Sequence, residues 1–494
     1  MNQPVPLSPQ QRRGLCRGRR LGQVLGVCCG GCQVAAALDS PLPPLWRSAY
    51  QNLSGALSAG GCRQGSEIPQ IVPADLDGAA ATAWAAAGRA ACTLGCQEHE
   101  VGLAEAFEPW WDHQMPQQAI LSACDQVGGR YSLAFLGAIV EGRVFWSCCS
   151  SPGDGCEASD FELDSAQITD RDAFLTVVAE LAEAGLLPDM YFLFNTGDQP
   201  FTDKTYWSPV PQFHWVKSAG HWTITLPNPF HLKAHFSDLL GDSKEHTKHF
   251  VPWDKKIAKV FWRGSLSAPD HLIVEDIATL PRLRLLHIAS QSPELFDVGI
   301  TGIDSEMKRA MGAKAFASLV RQTKTVKHVS MQRTLPKYRY VINVSAVLSA
   351  WRLVELLASG SLLLLQDDPS SELIYEWLTP WKHFVPISHG LSDLVEKVRW
   401  LEEHQAEAEA IARRGFEHFV KRMRRQDTYC YIWQALSGLA RSTVNTSLPK
   451  VATLKKNKWT EINMQANIEA SHAYVPLRDL LSASPVKSPG DAEL

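Results

Sequence analysis

Three residues in this sequence sit where a transfer reaction would need them. Asp198 follows a short apolar run at 190–194 (MYFLF), inside Asn195-Thr196-Gly197-Asp198, with Pro200 just beyond. A carboxylate at the end of a buried strand is well placed to take a proton from an attacking hydroxyl. The same residue also serves widely as a turn or helix cap. Asp367 and Asp368 follow a second apolar run, 362–365, and are rivals for the role, although Pro369 after them points to a turn. Arg263 ends the apolar stretch Phe261-Trp262 and is followed by Gly264 and Ser265. Glycine lets an anion approach the backbone, and arginine offers a planar fork of donors. Arg352 stands near the start of a helix expected from about Ser349, where the helix dipole adds to its charge. Either arginine could instead form a surface ion pair. Two of them just past strand ends suggest one shared phosphate site.

Other chemistries leave no signature. No GxGxxG fingerprint, P-loop or HExxH is present, nor an isolated Asp-x-Asp after an apolar strand. His214, His221, His231, His235, His246 and His249 are scattered without metal-site spacing and read as polar core or surface. The net charge of −4 argues against a nucleic-acid protein, which normally shows a basic stripe.

The elements that must hold these residues alternate. Residues 172–186 read as a helix, closed by Pro188 and followed by the 190–194 strand. Strands are expected at 259–262, 338–344, 362–365 and 384–387, and at 131–135 and 143–146. Residues 284–287 read as strand or helix. Helices are expected at 351–358, 391–401 and 402–424, with an irregular crossing region at 199–250. This predicts α/β architecture with parallel sheet. Open sheets of that kind bind ligands at the carboxyl ends of their strands. A chain of 494 residues exceeds the roughly 100–200 of one ordinary domain.

Eleven of the twelve cysteines lie at or before position 156, and the last is Cys430. Cys29-Gly-Gly-Cys32 has no matching pair, so disulfides fit better than a metal site, with free buried thiols as the alternative. Arg12, Arg13, Arg17, Arg19 and Arg20 precede an uncharged stretch, 21–38, as in a signal peptide cut after Ala37. A retained anchor, a transit peptide or a basic tail are the other readings. The last four residues, Asp491-Ala492-Glu493-Leu494, resemble a weakened KDEL-type signal. Glycosylation sequons stand at Asn52, Asn343 and Asn445, with Asn343 in a strand-like run that argues against its use.

Several ordered blocks carry a family resemblance. Residues 187–200 (LPDMYFLFNTGDQP), 261–265 (FWRGS), 337–386 and 427–431 (DTYCY) resemble glycosyltransferase family 90. That family holds the protein O-glucosyltransferases and the capsule-associated xylosyltransferases, often with KDEL-like ends. The resemblance covers roughly 90–435 and implies a GT-B fold, two Rossmann-like domains facing a cleft. The implied divisions are a signal or anchor at 1–37, an uninformative region at 38–90, and an acceptor and catalytic-base domain at 91–250. A UDP-sugar domain at 251–435 and a polar tail at 436–494 follow. The resemblance also implies inverting transfer of glucose or xylose from a UDP-sugar to a protein serine or a glycan hydroxyl. No metal or other cofactor is implied. Asp198 matches the base. Trp262, Arg263, Gly264, Ser265, Ser349, Trp351 and Arg352 match donor contacts, and Asp297 resembles a further acidic position.

Disulfides Cys96–Cys430 and Cys149–Cys156 are implied in the same way, as is residence in the endoplasmic reticulum lumen or the Golgi. A membrane is expected as a partner only if the N-terminal segment stays as an anchor. The sequence departs from the family at 221–226, where Trp222 and Thr223 stand in a sugar or acceptor loop that lacks its glycines. It departs again at Ala346, Ala350 and Leu266. A catalytically weak sugar-nucleotide or glycan-binding protein of the same fold is the alternative function.

Overall fold

A computed structural model describes residues 103, 106–110, 115–127, 133–149, 170–197, 200–202, 204, 209–234, 249–267, 280–304, 306–346, 348–422, 425–444, 448–464 and 477. All fall within Ala86–Leu494, one compact unit. The expected segments 1–37 and 38–90, the ends of the chain, Asn52, Asn445, Cys96, Cys156, His235 and His246 lie outside the described residues. No helix among the described residues is long and apolar enough to cross a membrane.

The first half of this unit begins with β1 (Met115–Pro116) and α1 (Gln117–Val127). The hairpin β2 (Ala134–Val140) and β3 (Arg143–Cys148) follows. Next come α2 (Asp170–Glu183) and β4 (Met190–Asn195). Three short strands, β5 (Gln212–His214), β6 (Val216–Ser218) and β7 (Thr223–Thr225), precede α3 (Pro229–Ala234). α2 stops where its apolar repeat meets Gly185 at φ 71°. There Leu186 N bonds Leu181 O and Gly185 N bonds Ala182 O, the closing pair that a left-handed residue permits. β4 is buried at every position because it lies inside the sheet between β2 and β5.

The second half is a parallel sheet. Its strands are β8 (Ile257–Leu266), β9 (Phe296–Ile303), β10 (Tyr338–Asn343), β11 (Leu362–Gln366) and β13 (Val385–Ile387). β12 (Ser370–Glu372) leaves this sheet and pairs antiparallel with β6 of the first half. The helices named below are α4 (Pro281–Gln291), α5 (Leu353–Ala358), α6 (Leu373–Glu376) and α7 (Gln405–Arg422). The residues expected to be strand or helix at 284–287 are helical, inside α4. Leu362–Leu365, buried on β11, contribute about 1.5–3 kcal/mol each by leaving water. The spatial order is β13-β11-β10-β8-β9, every neighbour parallel. From β8 the chain moves to β9 on one side, then returns to β10 on the other. Such a reversal opens a crevice at the carboxyl ends of the two strands.

The first sheet corrects the expectation of two similar Rossmann-like sheets. With a strand β15 at Thr460–Glu461, its order is β15-β3-β2-β4-β5-β7, antiparallel from β15 to β4 and parallel from β4 to β7. The two-residue turn between β2 and β3 forces antiparallel pairing. The C-terminal part of the chain returns to this sheet. α8 (Arg425–Arg441) packs on α2 and β4, whereas α7 packs on β11. Tyr431 Oη donates to Thr225 O at 2.6 Å and Trp433 Nε1 to Leu186 O at 3.1 Å. The expected polar tail at 436–494 supplies β14 (Thr443–Val444), paired with β1, and β15 (Thr460–Glu461), paired with β3.

Cys149 bonds to Cys124, not to Cys156 as expected. Cys149 N donates to Ala134 O at the end of the hairpin, and its Cα lies 4.8 Å from that of Cys124 on α1. Cys148 and Cys430 are also disulfide-bonded. The Cys124–Cys149 bridge closes a sequence separation of 25 residues, so removing it should cost about 3 kcal/mol. Peptide mapping without reductant should recover the two cysteines in one linked fragment. Chemical denaturation of the Cys124→Ser, Cys149→Ser protein should show the loss.

Candidate functional site

The crevice at the ends of β8 and β10 holds a cavity of about 440 Å³. β8 presents Arg263, Gly264 and Ser265 to it, and the loop after β10 presents Ser349, Ala350, Trp351 and Arg352. Six of the eight donor-contact positions expected from the sequence therefore line one cavity. The other two, Trp262 and Asp297, support it from behind.

Alternation along β8 assigns the side chains to opposite faces. Trp262 points into the core and is 1% exposed. The guanidinium carbons of Arg282 and Arg352 stand over its ring, 5.7 and 5.8 Å from the ring centre. Gly264 is required by this packing. A Cβ there would fall 2.7 Å from Trp262 Cζ2 and 3.1 Å from Arg352 NH2. Arg352 NH1 also donates to the main-chain carbonyl of Arg263, tying the end of β8 to the loop after β10.

Arg263 lines the cavity and is also held from the far side of the strand. It lies on the Phe261 face, its guanidinium carbon 4.7 Å from that ring. NH2 pairs with Asp297 Oδ1 at 2.5 Å and NH1 donates to Asp297 O at 2.8 Å. Asp297 also accepts from Tyr338 Oη. The carboxylate thus neutralises Arg263. Burial alone would raise the Asp297 carboxyl, but the hydrogen bonds from Tyr338 and Arg263 and the Arg263 charge outweigh it and hold it low.

The sequence reading missed Arg282, the second residue of α4, which also lines the cavity. It is 3% exposed. NH1 donates to Ser265 O at 2.6 Å and Ser267 Oγ at 2.9 Å, and Nε to Ser345 O at 3.2 Å. These partners are all neutral. Burial, and then repulsion from Arg352, push the guanidinium down to about 9, which leaves it charged at neutral pH. Burial also lowers Arg352, offset by Glu355 on the cavity wall. A buried cation and a half-buried one that share a cavity wall and repel form a site for an anion with more than one charge. Among the described residues, no cluster of three or more His, Cys, Asp or Glu side chains is placed to hold a metal.

Asp198 lies outside the described residues. The loop leading to it is fixed: Gly197 N donates to Asn195 Oδ1 at 2.8 Å, and His214 Nε2 meets Gly197 O at 2.9 Å. The rival Asp368 accepts from Ser370 N at 2.9 Å, the turn role that Pro369 suggested. Trp222 and Thr223 do not reach the cavity. Trp222 packs edge-on against Trp110, 5.8 Å between ring centres, and Thr223 is buried in β7. Leu266 is buried beside Val260 and Trp262, so this departure from the family acts on the core, whereas Ala346 and Ala350 line the cavity. His214 and His231 are core residues, pushed down by burial to about 4 and about 3. Asn343 is buried in β10 and donates to Tyr375 Oη.

A family model described as "Glycosyl transferase family 90" matches residues 165–492, more than half of the chain. The chain belongs to glycosyl transferase family 90. Its similarity to curated members is partial. It is 29% identical over 273 residues to protein O-glucosyltransferase 3 of Homo sapiens, covering 53% of this chain and 49% of that one. It is 32% identical over 266 residues to protein O-glucosyltransferase 2 of Danio rerio, covering 53% and 48%. It is 25% identical over 264 residues to protein O-glucosyltransferase 1 of Rattus norvegicus, covering 51% and 62%. The chain thus spans about half the length of the first two relatives. A solved structure titled "Crystal Structure of TarM" is similar at 15% identity and a TM-score of 0.27, covering 38% of this chain and 37% of that one. That likeness is too slight to bear on how domains are arranged.

The Arg263–Asp297 pair makes a pH prediction for this family 90 member. Asp297 is held below its usual value, so its contribution to stability is present above the unfolded value, about pH 3.9. The contribution disappears as pH falls from there through the lower folded value. Asp297→Asn should therefore melt at a lower temperature than wild type near neutral pH. The gap should close in melts run well below about pH 3.9.

Proposed function

We propose that this chain is an inverting, metal-independent transferase. It moves glucose or xylose from a UDP-sugar to a serine hydroxyl of a protein or to a glycan hydroxyl. One observation carries the reading: Arg282, buried, and Arg352, half-buried, stand at the wall of a cavity at the switch point of a parallel sheet, where Arg352 repels Arg282. A diphosphate relieves that repulsion, and its release is the step that needs positive charge. Family membership and the names of the relatives support a glucosyl donor and a protein acceptor.

In this reading the acceptor oxygen attacks the anomeric carbon of the sugar from the side opposite the diphosphate. The new C–O bond forms as the bond to the diphosphate breaks, and its electron pair leaves with UDP. Asp198 takes the hydroxyl proton. Arg282 and Arg352 hold the leaving group without a cation between them. Asp297 keeps Arg263 in place behind the strand. The two halves act as the two domains of a GT-B enzyme. Work in the secretory pathway fits a chain in which Cys124, Cys148, Cys149 and Cys430 are disulfide-bonded.

Release of UDP from UDP-glucose and UDP-xylose, with a folded secreted domain as acceptor, tests the proposal. Asp198→Asn should lower the transfer rate by about 10²–10⁴-fold while the protein still binds UDP. A chelator should leave the wild-type rate unchanged. Full activity in Asp198→Asn would remove the base, and loss of activity in chelator would remove the metal-free step.

A further inference from the structure

The donor loop is also tied to the first half of the molecule, through a carboxylate that has no part in the chemistry above. Glu372 ends β12 and is 1% exposed. β12 pairs with β6 in the register Glu372↔Val216, so this ladder joins a strand lying between β11 and β13 in the chain to one beside β7 of the mixed sheet. One carboxylate oxygen of Glu372 accepts from Ser349 Oγ in the loop that lines the cavity. The other accepts from Asn228 Nδ2. Asn228 is itself buried at the start of α3, where its Oδ1 accepts from His231 N at 2.9 Å. Its Nδ2 also reaches Trp351 O at 3.2 Å. Three residues before Arg352, and again one residue before it, the donor loop therefore meets a group fixed from outside its own sheet.

Burying a carboxyl without a cation is costly. Burial pushes Glu372 up to about 7, and the bonds from Ser349 and Asn228 only partly offset this. An apolar residue would fill the same space at less cost, so the polar tie needs a purpose other than stability.

We propose that Glu372 is a positioning residue that couples the 226–231 segment of the first half to the 345–352 loop of the cavity, and so sets Ser349, Trp351 and Arg352 for the nucleoside diphosphate. Naming that ligand rests on the function proposed above; the coupling itself does not. A shift in either segment is transmitted to the other through one side chain. Donor binding and the acceptor-side crossing segment thereby share a conformational equilibrium.

The test compares Glu372→Ala, Glu372→Gln and Asn228→Ala in the full chain, using amide hydrogen exchange without ligand and titration with UDP. Glutamine keeps both contacts. Its oxygen accepts from Asn228, and its amide donates to Ser349 Oγ. Glu372→Ala should speed exchange at both 226–231 and 345–352 and weaken UDP about tenfold, while Glu372→Gln should restore both readings. Asn228→Ala, which leaves Glu372 in place, should speed exchange at 345–352 and serves as the deciding variant if Glu372→Ala does not fold. Unchanged exchange at 345–352 in the alanine variants, or a glutamine variant as perturbed as alanine, would overturn the proposal. Failure of the wild-type protein to bind UDP would count against the functional reading alone, because the exchange measurements decide the coupling without it.

Discussion

The cavity depends on the hydrogen bond from the Arg352 guanidinium to the main-chain carbonyl of Arg263. β8 and β10 are neighbours in the sheet, but their continuations part at the switch point, and nothing in the ladder holds the loop after β10 against the end of β8. Arg352 does so, lying over the Trp262 ring in space that Gly264 leaves open. Trp262, Gly264 and Arg352 thus form one packing unit drawn from two strand ends. Arg282 enters from a third element, α4, and binds the carbonyls of Ser265 and Ser345, which belong to those same two ends. The positive charge of the site is therefore built into the framework that shapes it.

This arrangement separates the arginines by role. Arg263 is the residue that sequence places most plainly at a strand end, yet alternation along β8 turns it to the Phe261 face, where Asp297 and Tyr338 hold it. Arg282 has no local motif. It lies in a helix of ordinary composition (PRLRLLHIASQ), and only the crossing from β8 to β9 brings it over Trp262. Position relative to a strand end identifies a site, whereas side-chain parity decides what holds each residue there.

Much of the second half was legible in the sequence. The buried runs at β10 and β11 are short, largely apolar and bounded by polar residues, as strands covered on both faces should be. β9 was not, because Asp297, Gly299, Thr301 and Gly302 break its apolar pattern. The strand is held instead by its long ladder with β8. β5, β6 and β7 are three residues each, too short for any periodicity to register, and read as an irregular crossing. The return of α8, β14 and β15 to the first sheet was hidden for another reason. Their contacts with α2, β1 and β3 span the length of the chain, and no local pattern encodes a partner so far away. At Cys149 the family resemblance implied Cys156 as the partner, but the end of the hairpin brings Cys149 to Cys124 on α1.

The central claim is that the paired cations Arg282 and Arg352 recognise a diphosphate. Calorimetric titration of UDP and of uridine, into wild type and into Arg282→Ala, tests it most directly. The account predicts that wild type binds UDP about 100-fold or more tightly than uridine, and that Arg282→Ala loses on the order of tenfold of that difference while its uridine affinity is kept. Equal affinity of wild type for UDP and uridine, or an undiminished preference in Arg282→Ala, would contradict it.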